Sequence, residues 1–474
     1  MQGNVTPPLA ASAAPVEQAL YEIRKKIYPR AVTGTFALWR WLFVWGTQLV
    51  FYGLPWLPWN GRQAVLFDLA HRKFYIFGFV FWPQDIFYLT VLLIISACSL
   101  FLFTAVAGRL WCGYACPQTV YTEIFLWIEK VIEGDRIKRM KLDGSRLSAR
   151  KIGLKAAKHA AWIAVALWTG FTFVGYFTPI HELGREAFAL ALGPWESFWI
   201  LFYGFATYGN AGWMREQVCK YMCPYARFQS VMFDSDTLVI TYDRERGEPR
   251  GARSRSADQK ALGLGHCVDC GICVQVCPTG IDIRKGLQYE CIGCAACIDG
   301  CDQVMDKMGY PKGLIRYSSE VALERHLSLP DMMRRVLRPR VLVYTGILWA
   351  IILVAAMALY QRVPVKLDVI RDRIATARGS DEKEVENVYR LQIMNTSEFA
   401  RSFIVTVSGP DTLELKGSQD PVEVPAASSR MVPVRVEASR AQLAKGANPI
   451  LFTIHSQHET QAIVVTEKAS FVVQ

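Results

Sequence analysis

Residues 302–474 contain no cysteine, although the chain has thirteen, so every thiol falls between Cys98 and Cys301. The C-terminal third is therefore free of disulfides, and the pattern is not the even framework of a small secreted disulfide scaffold. The N-terminus lacks a short apolar core followed by a small-residue cleavage site, so residues 1–34 read as a retained cytoplasmic segment rather than a removable signal. The motif C-x-x-C-H is missing, which excludes covalently attached c-type haem. Gly263 and Gly265 have no strand–turn–helix context and make no nucleotide site. Histidine is scarce, and His159, His181 and His266 each stand alone, without the spacing of metal ligands.

What is abundant is apolar. Hydrophobic residues make up 52% of the 474 positions, too many for an ordinary soluble protein of this length. The net charge of +11 could point to nucleic acid, but the basic residues gather beside hydrophobic segments, where the positive-inside rule accounts for them and no nucleic-acid partner is expected.

The densest chemistry lies in C-V-D-C-G-I-C-V-Q-V-C-P and C-I-G-C-A-A-C-I-D-G-C, each with the spacing C-x2-C-x2-C-x3-C. In that run three thiolates hold one [4Fe–4S] cluster and the fourth reaches the other. The first cluster takes Cys267, Cys270, Cys273 and Cys301, the second Cys291, Cys294, Cys297 and Cys277. Structural zinc usually separates two ligand pairs by a dozen or more residues, which this crowding does not. Asp302 stands where the second half would have its proline, so the turn after Cys301 is expected to differ.

Taken in order, residues 35–235 read as a membrane domain with four spans, at about 36–57, 86–107, 159–179 and 195–212. Residues 58–84 read as a mixed, interfacial stretch, and Arg40 as a snorkelling side chain. The loop 130–158 carries ten Lys or Arg against three acids, marking the cytoplasmic side. A ferredoxin-type domain at 236–320 follows, then a fifth span within 321–362 behind Arg334, Arg335, Arg338 and Arg340. With the start inside and five crossings, residues 363–474 fall in the periplasm; the runs 389–394, 403–407, 432–436, 450–454, 463–466 and 471–473 read as strands of a small β-sandwich.

Just past the second span the chain reads W-C-G-Y-A-C-P, and just past the fourth V-C-K-Y-M-C-P. A helix would put Cys112 and Cys116, and likewise Cys219 and Cys223, on one face, with Pro117 and Pro224 disturbing or ending it. Both spans run inward, so the four thiols are expected to meet at one membrane face beside the iron–sulfur domain. They would suit Cu(I), zinc, another cluster or a pair of redox-active disulfides. A single short-spaced pair would read as buried packing; two copies at matching positions favour a site. Cys98 and the flanking Met214, Met222 and Met232 read as packing.

The runs W-C-G-Y-A-C-P-Q-T-V-Y-T-E and C-K-Y-M-C-P-Y-A-R-F-Q, the paired cluster motif, the last span and the β-domain together closely resemble the cytochrome c oxidase accessory protein family CcoG, also called FixG or RdxA. The resemblance implies a bacterial inner-membrane protein with two [4Fe–4S] clusters and an immunoglobulin-like C-terminal domain. It also implies a cupric reductase that converts Cu(II) to Cu(I) for assembly of the cbb3-type oxidase. The eight cysteines from Cys267 to Cys301 carry over as cluster ligands, and Cys112, Cys116, Cys219 and Cys223 as the membrane thiols acting on copper, whether as substrate or bound ion. The implied partners are the inner membrane, copper ions, a cytoplasmic electron donor, copper chaperones and the oxidase assembly machinery, with a homodimer as a further arrangement. Two alternatives are a quinone-linked polyferredoxin of the NapH type and a non-enzymatic assembly scaffold.

Overall fold

The computed structural model describes residues 26–372, 384–409, 413–417, 421–439, 443–457 and 463–473; the expectation for residues 1–25 lies outside them. Helix α1 (Thr35–Gly53) opens the described chain and is followed by a ribbon of β1 (Pro58–Trp59) and β2 (Arg62–Gln63). Next comes an antiparallel sheet of β3 (Val65–Asp68), β4 (Lys73–Ile76) and β5 (Phe79–Phe81). Where the sequence alone left an interfacial stretch, aromatic residues on a pleated surface make two hairpins, with Arg72 and Phe77 at positive φ in the turns.

Helix α2 (Ile86–Ala107) leads to α3 (Leu110–Tyr114), α4 (Pro117–Glu133), α5 (Arg136–Gly144) and α6 (Ala149–Val174), so the basic stretch 130–158 is helical rather than a loop. The reason is local: Ser148 caps α6 by accepting from the Lys151 N–H, and the charges pair inward, Lys155 and Lys158 with Glu133 at 2.9 and 3.3 Å. The third segment ends in helix at Val174, before Pro179, and the expected charged turn is α7 (Ile180–Phe188). The fourth is α8 (Pro194–Thr207) continued by a π-helical turn at Tyr208–Met214; a second π-helical turn, Val218–Met222, precedes α9 (Pro224–Met232).

The iron–sulfur domain is held by a two-stranded ribbon, β6 (Val239–Tyr242) with β7 (Ile315–Ser318). It contains the short helices α10 (Arg244–Gly247) and α11 (Ile272–Gln275) and the longer α12 (Ala296–Met308). Helices α13 (Glu320–Glu324) and α14 (Leu329–Val336) lead into α15 (Pro339–Tyr360).

Among the described residues two helices, Pro83–Ala107 and Pro339–Tyr360, are long and apolar enough to cross a membrane. Large apolar side chains also face outward on α1 (Trp39, Trp45, Leu49) and α8 (Phe198, Leu201, Phe205). Exposed apolar surface on this scale marks contact with lipid or with another protein. Helices α2 and α15 lie side by side. At one end the Asp85 carboxylate takes ion pairs from Arg362 (2.7 Å) and Lys366 (2.5 Å); at the other, Arg338 donates to the Ala105 carbonyl (2.6 Å) and Leu238 N–H to Val106 (3.1 Å). The iron–sulfur and C-terminal domains therefore occupy opposite ends of this helix pair.

The C-terminal domain packs two four-stranded antiparallel sheets face to face. One runs β12 (Val422–Val424), β10 (Arg401–Ser408), β14 (Gly446–Ser456), β15 (Val464–Val473); the other runs β11 (Glu414–Lys416), β13 (Ser429–Ser439), β9 (Glu384–Asn395), β8 (Val365–Arg371). Alternation puts Tyr389, Phe403, Phe452 and Phe471 in the shared core. The two runs 463–466 and 471–473 are one strand, because the polar residues between them keep the ladder with β14, Lys468 opposite Leu451. Glu398 accepts from Trp59 Nε1 (3.0 Å) and Arg62 (2.9 Å), seating the sandwich on the β1–β2 ribbon.

Candidate iron–sulfur and thiol centres

The two cysteine runs fold alike. A left-handed residue, Gly271 (φ 64°) or Ala295 (φ 57°), precedes a helix that carries the third cysteine, Cys273 or Cys297. One apolar cavity is lined by Cys267, Cys270, Cys273 and Cys301, with Tyr242 and Met305. A second is lined by Cys277, Cys291, Cys294 and Cys297, with Ile240 and Ile283. Each cavity is bordered by the four soft donors that the crossed spacing assigns to one cluster, the second also by Cys273 from the first set, and these donors fit two [4Fe–4S] clusters. Helix α12 runs straight through Cys301, and Asp302 leaves the chain helical and accepts the Gly313 N–H (2.9 Å), where a proline would break the turn.

Burial pushes the Cys273 and Cys294 thiols up to about 11 and those of Cys291 and Cys301 to about 12. Burial favours the neutral thiols, and an adjacent metal charge would favour their ionisation. Among the described residues no three His, Cys, Asp or Glu side chains are placed to hold one ion. Cubane clusters do not require that, since each thiolate binds a different iron.

The second thiol set departs from the expected helix faces. Cys112 lies in α3, but Cys116 is extended (φ −61°, ψ 128°), and Pro117 begins α4 instead of ending a helix; Cys223 and Pro224 repeat this before α9. Proline is at home in the first helical turn, where its missing N–H is not needed. The thiols lie within electrostatic reach of one another, Cys112 of Cys116 and Cys219, Cys116 of Cys223, and Cys219 of Cys116 and Cys223, without three of them being placed round one ion. Burial pushes Cys112 up to about 12 and Cys219 to about 11. Cys112 Sγ lies 3.5 Å from Gln229 Oε1, and Gln229 is wholly buried.

The two centres share a wall. Cys112 and Cys219 pack on Val276, Ile292 and Cys294. Gly113 lies directly on Gly293: a methyl at Gly113 would stand 2.7 Å from the Gly293 carbonyl oxygen and 2.9 Å from Cys294 Cα. Gly293 itself has φ 69° and abuts the Arg109 backbone. Arg109 is 5% exposed, donates to the Ala226 carbonyl and has no hydrogen-bond partner for Nε. Its positive charge eases ionisation of Cys112, Cys219 and Cys291 together.

Other contacts bind the iron–sulfur domain to the helices. Arg40 does not snorkel; it turns inward and donates to the Cys294 carbonyl (2.7 Å). The Asp299 carboxylate accepts the Ala37 (2.7 Å) and Phe36 (3.2 Å) N–H groups, so α12 caps α1, and Gly34 leaves room for it. Arg215 holds a positive φ between the two π-helical turns, pinned by Glu129 (2.6 Å) and by Gln118 on its carbonyl (3.1 Å). These contacts join segments far apart in sequence, and no local sequence signal marks them. The isolated histidines have structural partners: His159 the Tyr208 hydroxyl (2.9 Å), His266 the Tyr310 ring and Arg246, His181 the Trp56 ring.

Comparison with known proteins agrees with this architecture. A 4Fe-4S dicluster domain matches residues 214–320, the Ig-like fold at the C-terminus of FixG residues 355–474, and a 4Fe-4S binding domain residues 89–134, which include Cys112 and Cys116. Nitrogen fixation protein FixG of Rhizobium meliloti is 40% identical over 430 residues, 84% of this chain and 82% of that one. Protein RdxA of Cereibacter sphaeroides is 37% identical, covering 92% of each. Ferredoxin-type protein NapH of Haemophilus influenzae is 25% identical over 46% of this chain and 68% of its own. A FixG-related protein from Vibrio parahaemolyticus, known from its crystal structure, matches 23% of this chain at 22% identity with a TM-score of 0.19. With two cluster cradles, an Ig-like tail and relatives that match over most of their length, the chain belongs to the FixG/RdxA family of membrane iron–sulfur electron-transfer proteins.

Proposed function

We propose that this protein is a cupric reductase of the bacterial inner membrane, reducing Cu(II) to Cu(I) for assembly of cbb3-type cytochrome c oxidase. The observation that carries this reading is the Gly113–Gly293 contact, which sets the C-x3-C-P thiols against the second cluster's cysteines. When bound, the two [4Fe–4S] clusters supply electrons one at a time, as the step from Cu(II) to Cu(I) requires. The thiols of Cys112, Cys116, Cys219 and Cys223 are soft donors that favour Cu(I) over Cu(II), so they hold the product state of the substrate ion. Arg109 offsets thiolate charge at the shared wall. Cys270 is exposed, which makes the first cluster's side the accessible face toward a cytoplasmic donor.

In this reading α1, α2, α6, α8 with its π-helical extension, and α15 cross the membrane. The N-terminus and iron–sulfur domain lie in the cytoplasm and the sandwich in the periplasm. The basic residues around α5 and Arg334–Arg340 support that orientation, as do the opposite positions of the two domains on the α2–α15 pair.

The test uses detergent-purified protein with chemically reduced clusters, a Cu(I)-specific chelator, and cluster absorbance followed in the same cuvette. Cu(I) is expected in step with cluster oxidation. Replacing Cys112 and Cys116 together by Ser is expected to abolish it while iron content stays near that of the unmodified protein. Clusters that remain reduced in the presence of Cu(II) would refute the reading.

A further inference from the structure

Two buried guanidinium groups bear on the second set of cluster cysteines. Arg40 is 6% exposed and gives a hydrogen bond to the Cys294 carbonyl (2.7 Å); Arg109, on the far side of the Gly113–Gly293 contact's loop, is as deeply buried, and its Nε has no hydrogen-bond partner. Among the described residues neither forms an ion pair, whereas other buried cations of the helical domain do: Arg139 and Arg215 meet Glu129, and Lys158 meets Glu133. Of the two acids within electrostatic reach of Arg40, Asp299 is held by the Phe36 and Ala37 N–H groups, and Glu123 acts on Cys294 more weakly than Arg40 does. An uncompensated buried charge is costly in a folded chain, and such costs are kept where function uses them.

The first set of cysteines sits in a different field. Its cation, Arg284, is bound to Asp282 through two hydrogen bonds of 2.8 Å and to Asp269 as well, and Asp302 adds a carboxylate next to Cys301. Cys270 is exposed, so water reaches this side. At the second set burial dominates and pushes the Cys291 and Cys294 thiols up, while Arg109 and Arg40 oppose it. A cluster gains negative charge when it is reduced, so burial alone would make the second cluster the harder of the two to reduce. Guanidinium groups keep their charge at every working pH, and two of them beside the second cradle act in the opposite sense.

We propose that Arg40 and Arg109 raise the reduction potential of the second cluster above that of the first, so that an electron entering on the Cys270 side comes to rest beside the thiols. Both are positioning residues, acting through the field they place on Cys294 and Cys291. The transfer moves one electron: the first cluster is oxidised, the second is reduced, and no bond or proton changes hands. A soluble one-electron carrier is the reductant. The inference rests on the cupric reductase reading only for what lies beyond the thiols.

Redox titration of the full-length, cluster-loaded protein in detergent, followed by EPR with dithionite as reductant and no copper, tests this. Two midpoints are expected. At unchanged iron content Arg40→Gln and Arg109→Gln should each lower the higher midpoint by at least about tenfold in its reduction equilibrium, about 59 mV for one electron, and leave the lower one in place. Arg40→Lys keeps the charge and should stay near the unmodified protein. Arg284→Gln should move the lower midpoint instead, which assigns it to the first cluster. The proposal is overturned if neither guanidinium variant moves a midpoint, if the lower one moves, or if Arg40→Lys falls as far as Arg40→Gln, which would make packing rather than charge responsible. Should Arg40→Gln lose iron, Arg109→Gln decides; a shift of the higher midpoint by Arg284→Gln overturns the order by itself. Because copper is absent, failure here leaves the cupric reductase reading untouched, whereas the expected midpoints in a protein that does not reduce Cu(II) keep this inference and remove that reading.

Discussion

Replacing Gly113 with Ala is the sharpest perturbation of the shared wall. The new methyl would meet the Gly293 carbonyl oxygen at 2.7 Å, its carbon at 2.8 Å and Cys294 Cα at 2.9 Å. All three are backbone atoms, with no flexible side chain to swing aside. Carbon contacts are comfortable at about 3.5–4.0 Å, so α3 and the Cys291–Cys294 loop must part by about 1 Å. Overpacking of this kind costs about 1–3 kcal/mol of stability. A 1 Å misplacement costs on the order of 10²-fold in a reaction that depends on positioning. The assay is the rate of cluster oxidation by Cu(II) after rapid mixing, with iron content as the measure of intact clusters. Gly46→Ala is the control, since nothing lies within 4 Å of its added methyl and α1 gains about 0.5–1 kcal/mol from the better helix former. A Gly113→Ala protein with full iron and a rate within about twofold of the unmodified protein would refute the idea that this contact positions the two centres.

Glu129→Gln should destabilise the protein by about 3–5 kcal/mol, because Arg139 and Arg215, at 2.7 and 2.6 Å, lose the buried carboxylate that neutralises them. A denaturation midpoint in detergent indistinguishable from the unmodified protein would contradict this. Asp299→Ala removes the cap of α1 and should lower stability by about 0.5–2 kcal/mol, with Asp299→Asn closer to the original; equal melting of all three would show that the cap is dispensable. At Asp143 burial alone would raise the carboxyl, but hydrogen bonds from Lys155, Lys26 and Tyr28 outweigh it and hold it well below the usual carboxylate range. A depressed pKa contributes stability above the unfolded value, about 3.9, and loses it only as pH falls through the folded one. The segment at Lys26–Tyr28 should therefore resist proteolysis from about pH 4 through neutrality, while Lys26 and Lys155 stay charged, and open in stronger acid; opening near neutrality would show that the clamp is not what holds it.

The cluster cradles were legible because a local spacing fixes them: four cysteines within eleven residues leave few ways to fold round iron. The sandwich was legible because period-two alternation buries Tyr389, Leu391 and Ile393 whatever lies outside the domain. The break at Cys116 was not, since a C-x3-C pair reads equally as one helical face, and only the proline's preference for a first turn decides otherwise. The helices within the basic stretch were not legible for a different reason: its charges read as a solvated loop in one dimension, yet Lys158 is 4% exposed and pairs with Glu133, a partner that tertiary packing alone supplies. The glycine contact and the Asp299 cap both join elements far apart in sequence, and no window of residues contains them.

Helix α2 starts directly after Asp85, which two cations from the C-terminal side grip, and runs without interruption from Ile86 to Ala107, five residues before Cys112. At a rise of 1.5 Å per residue this is a strut of about 33 Å, stiff along its axis. A partner that takes hold of the sandwich at one end of this rod therefore pulls on the same helix that ends at the thiols at the other. Force or displacement passes through the Asp85 ion pairs into one unbroken helix, and the docking state of the tail and the geometry of these sulfurs form a single mechanical system.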